Sequence, residues 1–174
     1  MRTKKLLYVV AAATVLSFAA FKASAADGRL SIGAEVAMPM GTFGDAVSTG
    51  FGGSLRYEMP MGDNLGLTVT AGYITFSGKD FFDGISFNYI PVQVGAKYYF
   101  QEQQNGFYGM VELGIHSGST SAEGSESSTD LSYAPALGYH LANIDIGLRY
   151  QMIATEGEST SYLGLRLAYV LGGK

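Results

Sequence analysis

The chain has 174 residues, with 11 lysines and arginines against 15 aspartates and glutamates, 24 glycines and no cysteine. The lack of cysteine excludes a disulfide framework and a lipoprotein acylation site. The acidic balance argues against a nucleic-acid partner, and the abundance of tyrosine and phenylalanine argues against disorder.

Residues 1–25 have the form of a secretory signal peptide. Arg2, Lys4 and Lys5 make a basic start, Leu6 to Phe21 is nearly all apolar, and Ala23-Ser24-Ala25 is a small-x-small cleavage site. Cleavage after Ala25 leaves Ala26 to Lys174, 149 residues in one domain. Loss of Arg2, Lys4, Lys5 and Lys22 leaves seven basic residues against 15 acidic, a net charge of −8.

The remaining chain alternates apolar with small or polar residues, and no stretch shows a helical period. Strands are predicted at Arg29–Met38, Phe51–Met59, Leu65–Phe76, Phe87–Phe100, Phe107–His116, Leu131–Leu141, Ile144–Ile153 and Tyr162–Leu171. Long connections (Pro39–Gly50, Ser77–Ser86, Ser117–Asp130 and the moderate Ala154–Ser161) alternate with short ones at Pro60–Asn64, Gln101–Gly106 and Ala142–Asn143. This is the pattern of an all-β, eight-stranded antiparallel up-and-down transmembrane β-barrel. Ten residues at roughly 3.3 Å each, tilted by about 40°, climb about 25 Å, the height of the apolar band in such barrels.

Sorting residues by face decides which side meets lipid. Glu35, Arg56, Glu58, Lys97, Glu112, Asp145, Arg149 and Arg166 fall on one face, with Gln93, Gln151, His116 and His140. Most strand glycines share that parity; Gly53 and Gly109 break it. Leu30, Ile32, Val36, Leu55, Leu67, Val92, Val111, Leu113, Ile146, Leu148 and Leu165 occupy the other face. Alternation alone would suit a soluble barrel with the apolar face inward. Volume excludes it, since roughly forty bulky apolar side chains exceed the dozen to twenty that an eight-stranded interior holds. The apolar face is therefore expected to meet lipid, and the eight charges to fill the interior as a paired network.

Tyr57, Tyr98, Phe100, Phe107, Tyr139 and Tyr169 cluster near the short turns, while Phe51, Tyr73 and Tyr133 lie toward the long loops. They read as two interfacial girdles. Pro91 and Pro135 each remove a ladder hydrogen bond, and both are expected at or above the outer lipid interface, where water can satisfy the freed carbonyls.

With this pattern the chain resembles the small outer-membrane β-barrel family, the OmpA-like transmembrane domain and its OmpX-like relatives. The segment "NYIPVQVGAKYYF" (Asn88–Phe100) is similar to strands of its Bacteroidota branch. The last strand is similar to the family's assembly signal, with Tyr162, Gly164, Leu167 and Tyr169 in the matching places, although the chain ends Leu171-Gly172-Gly173-Lys174 without a terminal aromatic. The resemblance implies the outer membrane of a Gram-negative cell, periplasmic termini, extracellular long loops, and outer-membrane lipids and the barrel-insertion machinery as partners. No peptidoglycan-binding domain follows, so a wall-anchoring role is not implied.

An eight-stranded barrel is too narrow for an open channel. The expected role is thus structural or surface-interactive, with an extracellular ligand for the loops and no catalysis. The loop carboxylates Asp45, Asp80, Asp83, Glu123, Glu126, Asp130, Glu156 and Glu158 face one base, Lys79, and read as a solvated acidic surface. Ser117–Asp130 reads as a mobile loop, and Asp80–Gly84 lacks the alternating oxygens of a calcium loop, so neither metal nor cofactor is assigned. The alternatives are a narrow pore, or a lipid A-modifying enzyme drawing on Glu112, His116, Ser117 and Ser119.

Overall fold

The computed structural model describes residues 28–121, 127–155 and 159–171; the proposed signal peptide, Glu123, Glu126, Glu156, Glu158 and the last three residues lie outside them. Eight strands form a closed barrel: β1 (Arg29–Met40), β2 (Gly50–Met61), β3 (Leu65–Ser77), β4 (Ser86–Tyr99), β5 (Gly106–Thr120), β6 (Ser128–Leu141), β7 (Ile144–Ala154) and β8 (Ser159–Leu171). Each pairs antiparallel with its chain neighbour. β1 closes on β8 from Leu30 opposite Leu171 to Met40 opposite Ser161, which leaves no free edge.

Period-two alternation appears directly in the burial. In β8, Leu165, Leu167, Tyr169 and Leu171 are exposed, whereas Tyr162, Gly164, Arg166, Ala168 and Val170 are buried. The exposed face carries large apolar side chains all round the wall, including Ile32, Leu55, Val111, Leu113, Leu137 and Leu148. The aromatics near the short turns stand outside and pack on one another, Phe107 on Tyr139 at 4.7 Å and Tyr98 on Phe100 at 6.0 Å between ring centroids.

Two expectations about the connections are corrected. The first long connection holds a short helix, α1 (Gly41–Ala46), whose six residues are too few for a helical period to register. β5 and β6 run past the predicted ends, to Thr120 and from Ser128, so Asp130 lies in a strand opposite His116 rather than in a loop.

The prolines interrupt the ladder without shifting register. Pairing of β3 with β4 skips from Ala71–Val92 to Ile74–Tyr89 beside Pro91, and that of β6 with β7 skips from Tyr133–Met152 to Ala136–Arg149 beside Pro135. Pro91 is buried against the interior. Pro135 faces outward opposite Val111, midway along β6 and among Tyr133, Leu137 and Leu148, so it lies within the apolar band and not at its rim. Gln151 reaches across the gap and donates Nε2–H to the Tyr133 carbonyl at 3.3 Å.

Candidate functional site: the barrel interior

The even pleat of β2, β5 and β8 and the odd pleat of β4 and β7 aim side chains inward, so that charges far apart in sequence meet on the barrel axis. All eight charged residues are at most 5% exposed. Near the short turns, Lys97 Nζ lies between two carboxylates, 3.1 Å from Glu58 Oε2 and 2.6 Å from Asp145 Oδ2. Tyr99 donates its hydroxyl to Glu58 Oε1 at 2.8 Å and Tyr108 donates to Asp145 Oδ1 at 3.0 Å. The Lys97 ammonium also stands 3.9 Å over the Tyr108 ring.

In the middle, Arg56 meets Glu112 at 3.1 Å and donates Nε–H to Thr70 Oγ1 at 2.9 Å, while Thr70 donates to Glu112 at 2.8 Å. Arg149 Nη2 is 2.9 Å from Glu35 Oε2. Arg166 is held less closely, 3.7 Å from Glu35 and 3.6 Å from Asp145, and relies on Ser54 Oγ at 2.9 Å and Ser31 Oγ at 3.0 Å. Ser54 relays this contact, donating its own hydroxyl to Glu35 at 2.6 Å. Inward glycines make room for the long side chains. A Cβ on Gly138 would stand 2.2 Å from Tyr108 Cζ, and one on Gly33 would stand 2.9 Å from Arg166 Nε.

Both ends of the interior are stopped. At the long-loop end, Phe43 of α1 packs on Phe76 (5.1 Å) and Tyr89 (6.1 Å), and Phe76 packs on Tyr162 (5.7 Å). Ile74, Val47 and Ile153 complete this apolar cap. At the short-turn end, the side chain of Gln104 turns into the barrel and donates to the carbonyls of Gly62 and Leu65, while Arg29 donates to Gln104 Oε1 and to its carbonyl. Between these stops, a cavity of about 10 Å³ lies among Arg56, Tyr108, Arg149 and Arg166.

Sequence reasoning missed the cap and the floor. Parity held a signal for Ile74, Phe76, Tyr99, Tyr108 and Tyr162, all on the charged face. Phe43 and Gln104 lie in connections, where no period operates. The residues of the enzymatic alternative do not converge. His116 is fully buried inside with Nε2 3.2 Å from the Tyr162 hydroxyl, Glu112 is engaged by Arg56 and Thr70, and Ser119 is exposed on the opposite face. Among the described residues, no group of three or more His, Asp or Glu is placed to hold a metal.

A closed sheet with charges inside and apolar side chains outside is a membrane-spanning β-barrel, the inverse of a water-soluble one. The sequence matches the model of the outer membrane protein beta-barrel domain over residues 8–170, and the chain belongs to that family, which places it in the outer membrane. No curated protein is a significant match to it. Among solved structures, it is similar to the N-terminal β-barrel domain of Pseudomonas aeruginosa OprF, with 15% identity over 82% of this chain and 97% of that one, at a TM-score of 0.59. Neisserial surface protein A is 17% identical over 83% and 96% of the chains, at 0.60. Yersinia pestis Ail, solved with the heparin analogue sucrose octasulfate, is 17% identical over 83% and 98%, at 0.54. At these identities the likeness establishes the fold.

Proposed function

We propose that this protein is a closed outer-membrane barrel with a structural and surface-interaction role, and neither an open pore nor an enzyme. In this reading residues 1–25 are a cleaved signal peptide, and both termini and the short turns are periplasmic. The four long connections then face the exterior. Tyr162, Gly164, Leu167 and Tyr169 of the closing strand present the signal read by the barrel-insertion machinery. The observation that carries the closed reading is the filled axis. Paired charges lie between an aromatic cap and the Gln104 floor, with a cavity of about 10 Å³ among Arg56, Tyr108, Arg149 and Arg166. Conductance of the refolded protein in planar bilayers tests it: the expected result is no stable nanosiemens openings, and such openings would overturn it.

The loop end supports a surface-binding role with a cationic ligand. Asp45 and Asp83 stand there with Lys79, whose ammonium is held by the Gly44 carbonyl at 2.9 Å. Phe81, 98% exposed beside them, supplies an apolar anchor. A sulfated polyanion like that bound by Ail suits such a surface poorly.

A further inference from the structure

Gly109 breaks the parity of the strand glycines, and the barrel itself gives no reason for it. An inward glycine such as Gly138 makes room, since a Cβ there would stand 2.2 Å from Tyr108 Cζ. Gly109 instead points outward, between its register partners Tyr98 of β4 and Leu137 of β6. A Cβ at Gly109 would meet only Phe100 Cζ at 3.6 Å and Leu137 Cδ2 at 3.9 Å, both ordinary contacts. Its φ also lies outside the left-handed range that favours glycine. A larger apolar side chain would fit there, so the open space serves something outside the wall.

That space is a hollow of about 600 Å³ over Gly109 and Pro135, rimmed by Tyr98, Leu137 and Tyr150. A second hollow, of about 620 Å³, adjoins it across the Leu137–Leu148 pair and runs past Phe107 and Tyr139 to Gln101. The track begins at the short-turn aromatics and stops at Pro135, midway along β6; beyond it Tyr133 and Leu131 stand out from the wall. Four steps from Tyr139 to Pro135 at roughly 3.3 Å each cover about 13 Å, one leaflet of a band about 25 Å tall. A second barrel would lie against the full height of the wall. One lipid chain fits the depth observed, and the hollows are continuous with the lipid-facing surface that the outer-membrane family defines. We propose that they seat one acyl chain of a phospholipid whose headgroup lies beside the short turns. Its source, the periplasmic leaflet, rests on the topology proposed above. Within hydrocarbon a chain gains no hydrophobic energy by changing neighbours, so retention comes from packing, and a groove touches the chain on more sides than a convex wall does.

The test is photolabelling of the protein in phosphatidylethanolamine–phosphatidylglycerol vesicles that carry a trace of phosphatidylethanolamine with a diazirine in its chain. Label is located by mass spectrometry of peptides. The expected result is several-fold more label around Leu137 and Tyr150 than on the outward residues of β1 to β3. Even labelling round the wall overturns the proposal, and so do barrel-to-barrel cross-links through β5 to β7, which would make a second copy the occupant. Gly109→Leu, which fills the hollow from the lipid side, is expected to remove the excess label. Gly53→Leu, outward on the opposite wall, is expected to leave it unchanged. An excess undiminished in Gly109→Leu would overturn the assignment to this groove. The labelling ratio on the unaltered chain decides the matter even where a variant fails to fold. Native mass spectrometry of the protein released from its own outer membrane then tests the source. A retained phospholipid mass is expected; a lipid A mass there, with the vesicle labelling as expected, would overturn the phospholipid assignment together with the topology beneath it.

Discussion

Leu165 and Arg166 are neighbours in β8 on opposite sides of the barrel wall, the leucine 42% exposed outside and the arginine 3% exposed inside. Their responses to a change of charge should therefore be opposite. Leu165→Arg puts a cation into hydrocarbon, at a cost of about 2–4 kcal/mol near the midplane. Arg166→Leu removes no lipid contact. Glu35 keeps Arg149 at 2.9 Å and Asp145 keeps Lys97 at 2.6 Å, so the loss is about 1–3 kcal/mol of interior hydrogen bonding. Leu165→Arg is expected to assemble poorly, and Arg166→Leu to insert but melt earlier, read as the mobility difference between boiled and unboiled samples on a gel.

Lys97 carries more of the interior than any other charge, because it alone stands within 3.2 Å of two carboxylates. Lys97→Met leaves Glu58 and Asp145 without their shared counter-ion, and breaking a buried pair in this way costs about 3–5 kcal/mol. Replacing Asp145 by Asn in the same chain removes one of the stranded charges. The double variant is expected to be more stable than Lys97→Met alone in urea unfolding from detergent micelles. Equal or lower stability would mean that the pair is not coupled.

The tightest turn contains a correctable strain. Ala142 sits at φ 51° in the two-residue link between β6 and β7, a left-handed conformation that disfavours a side chain. Ala142→Gly is expected to stabilise the barrel by about 0.5–1 kcal/mol, because glycine adopts that conformation freely. The check is the urea midpoint at unchanged slope.

Gln151 donates to the Tyr133 carbonyl beside the gap at Pro135 and accepts from Gln93 Nε2 at 3.2 Å. Gln151→Leu removes the Nε2–H contact to the Tyr133 carbonyl and the acceptor of Gln93, at a net cost of about 0.5–1.5 kcal/mol per hydrogen bond. Amide exchange is expected to quicken locally in β6 and β7 around residues 133–136 and 149–152, with β2 unchanged. Uniform quickening in all strands would show that the contact does not act locally.

The barrel was legible in the sequence because a strand in this setting admits one arrangement. Each charge must face away from hydrocarbon, so the parity of Glu35, Arg56, Lys97 or Arg166 fixes the facing of its whole strand. The pairing within the interior was not legible. Arg56 meets Glu112 across 56 positions of sequence and Arg149 meets Glu35 across 114, and alternation carries no information about angular position round the axis. Pro135 was placed too near the rim because parity gives a residue's face and not its height along the barrel axis. The stops at both ends were invisible for a further reason. Phe43 and Gln104 lie in connections, where no period operates, and Gln104 has its backbone at a positive φ of 51°.

The central claim is that odd positions of β8 face lipid and even positions face a closed interior. The chain has no cysteine, so single spin-labelled cysteines from 163 to 170 give a background-free test. Relaxation by oxygen, which partitions into lipid, is compared with relaxation by a water-soluble nickel chelate. Strong oxygen access at 163, 165, 167 and 169, with low access to both reagents at 164, 166 and 168, is the predicted result. Nickel access at the even positions would reveal an open channel, and oxygen access there would turn the barrel inside out; either result would contradict the account.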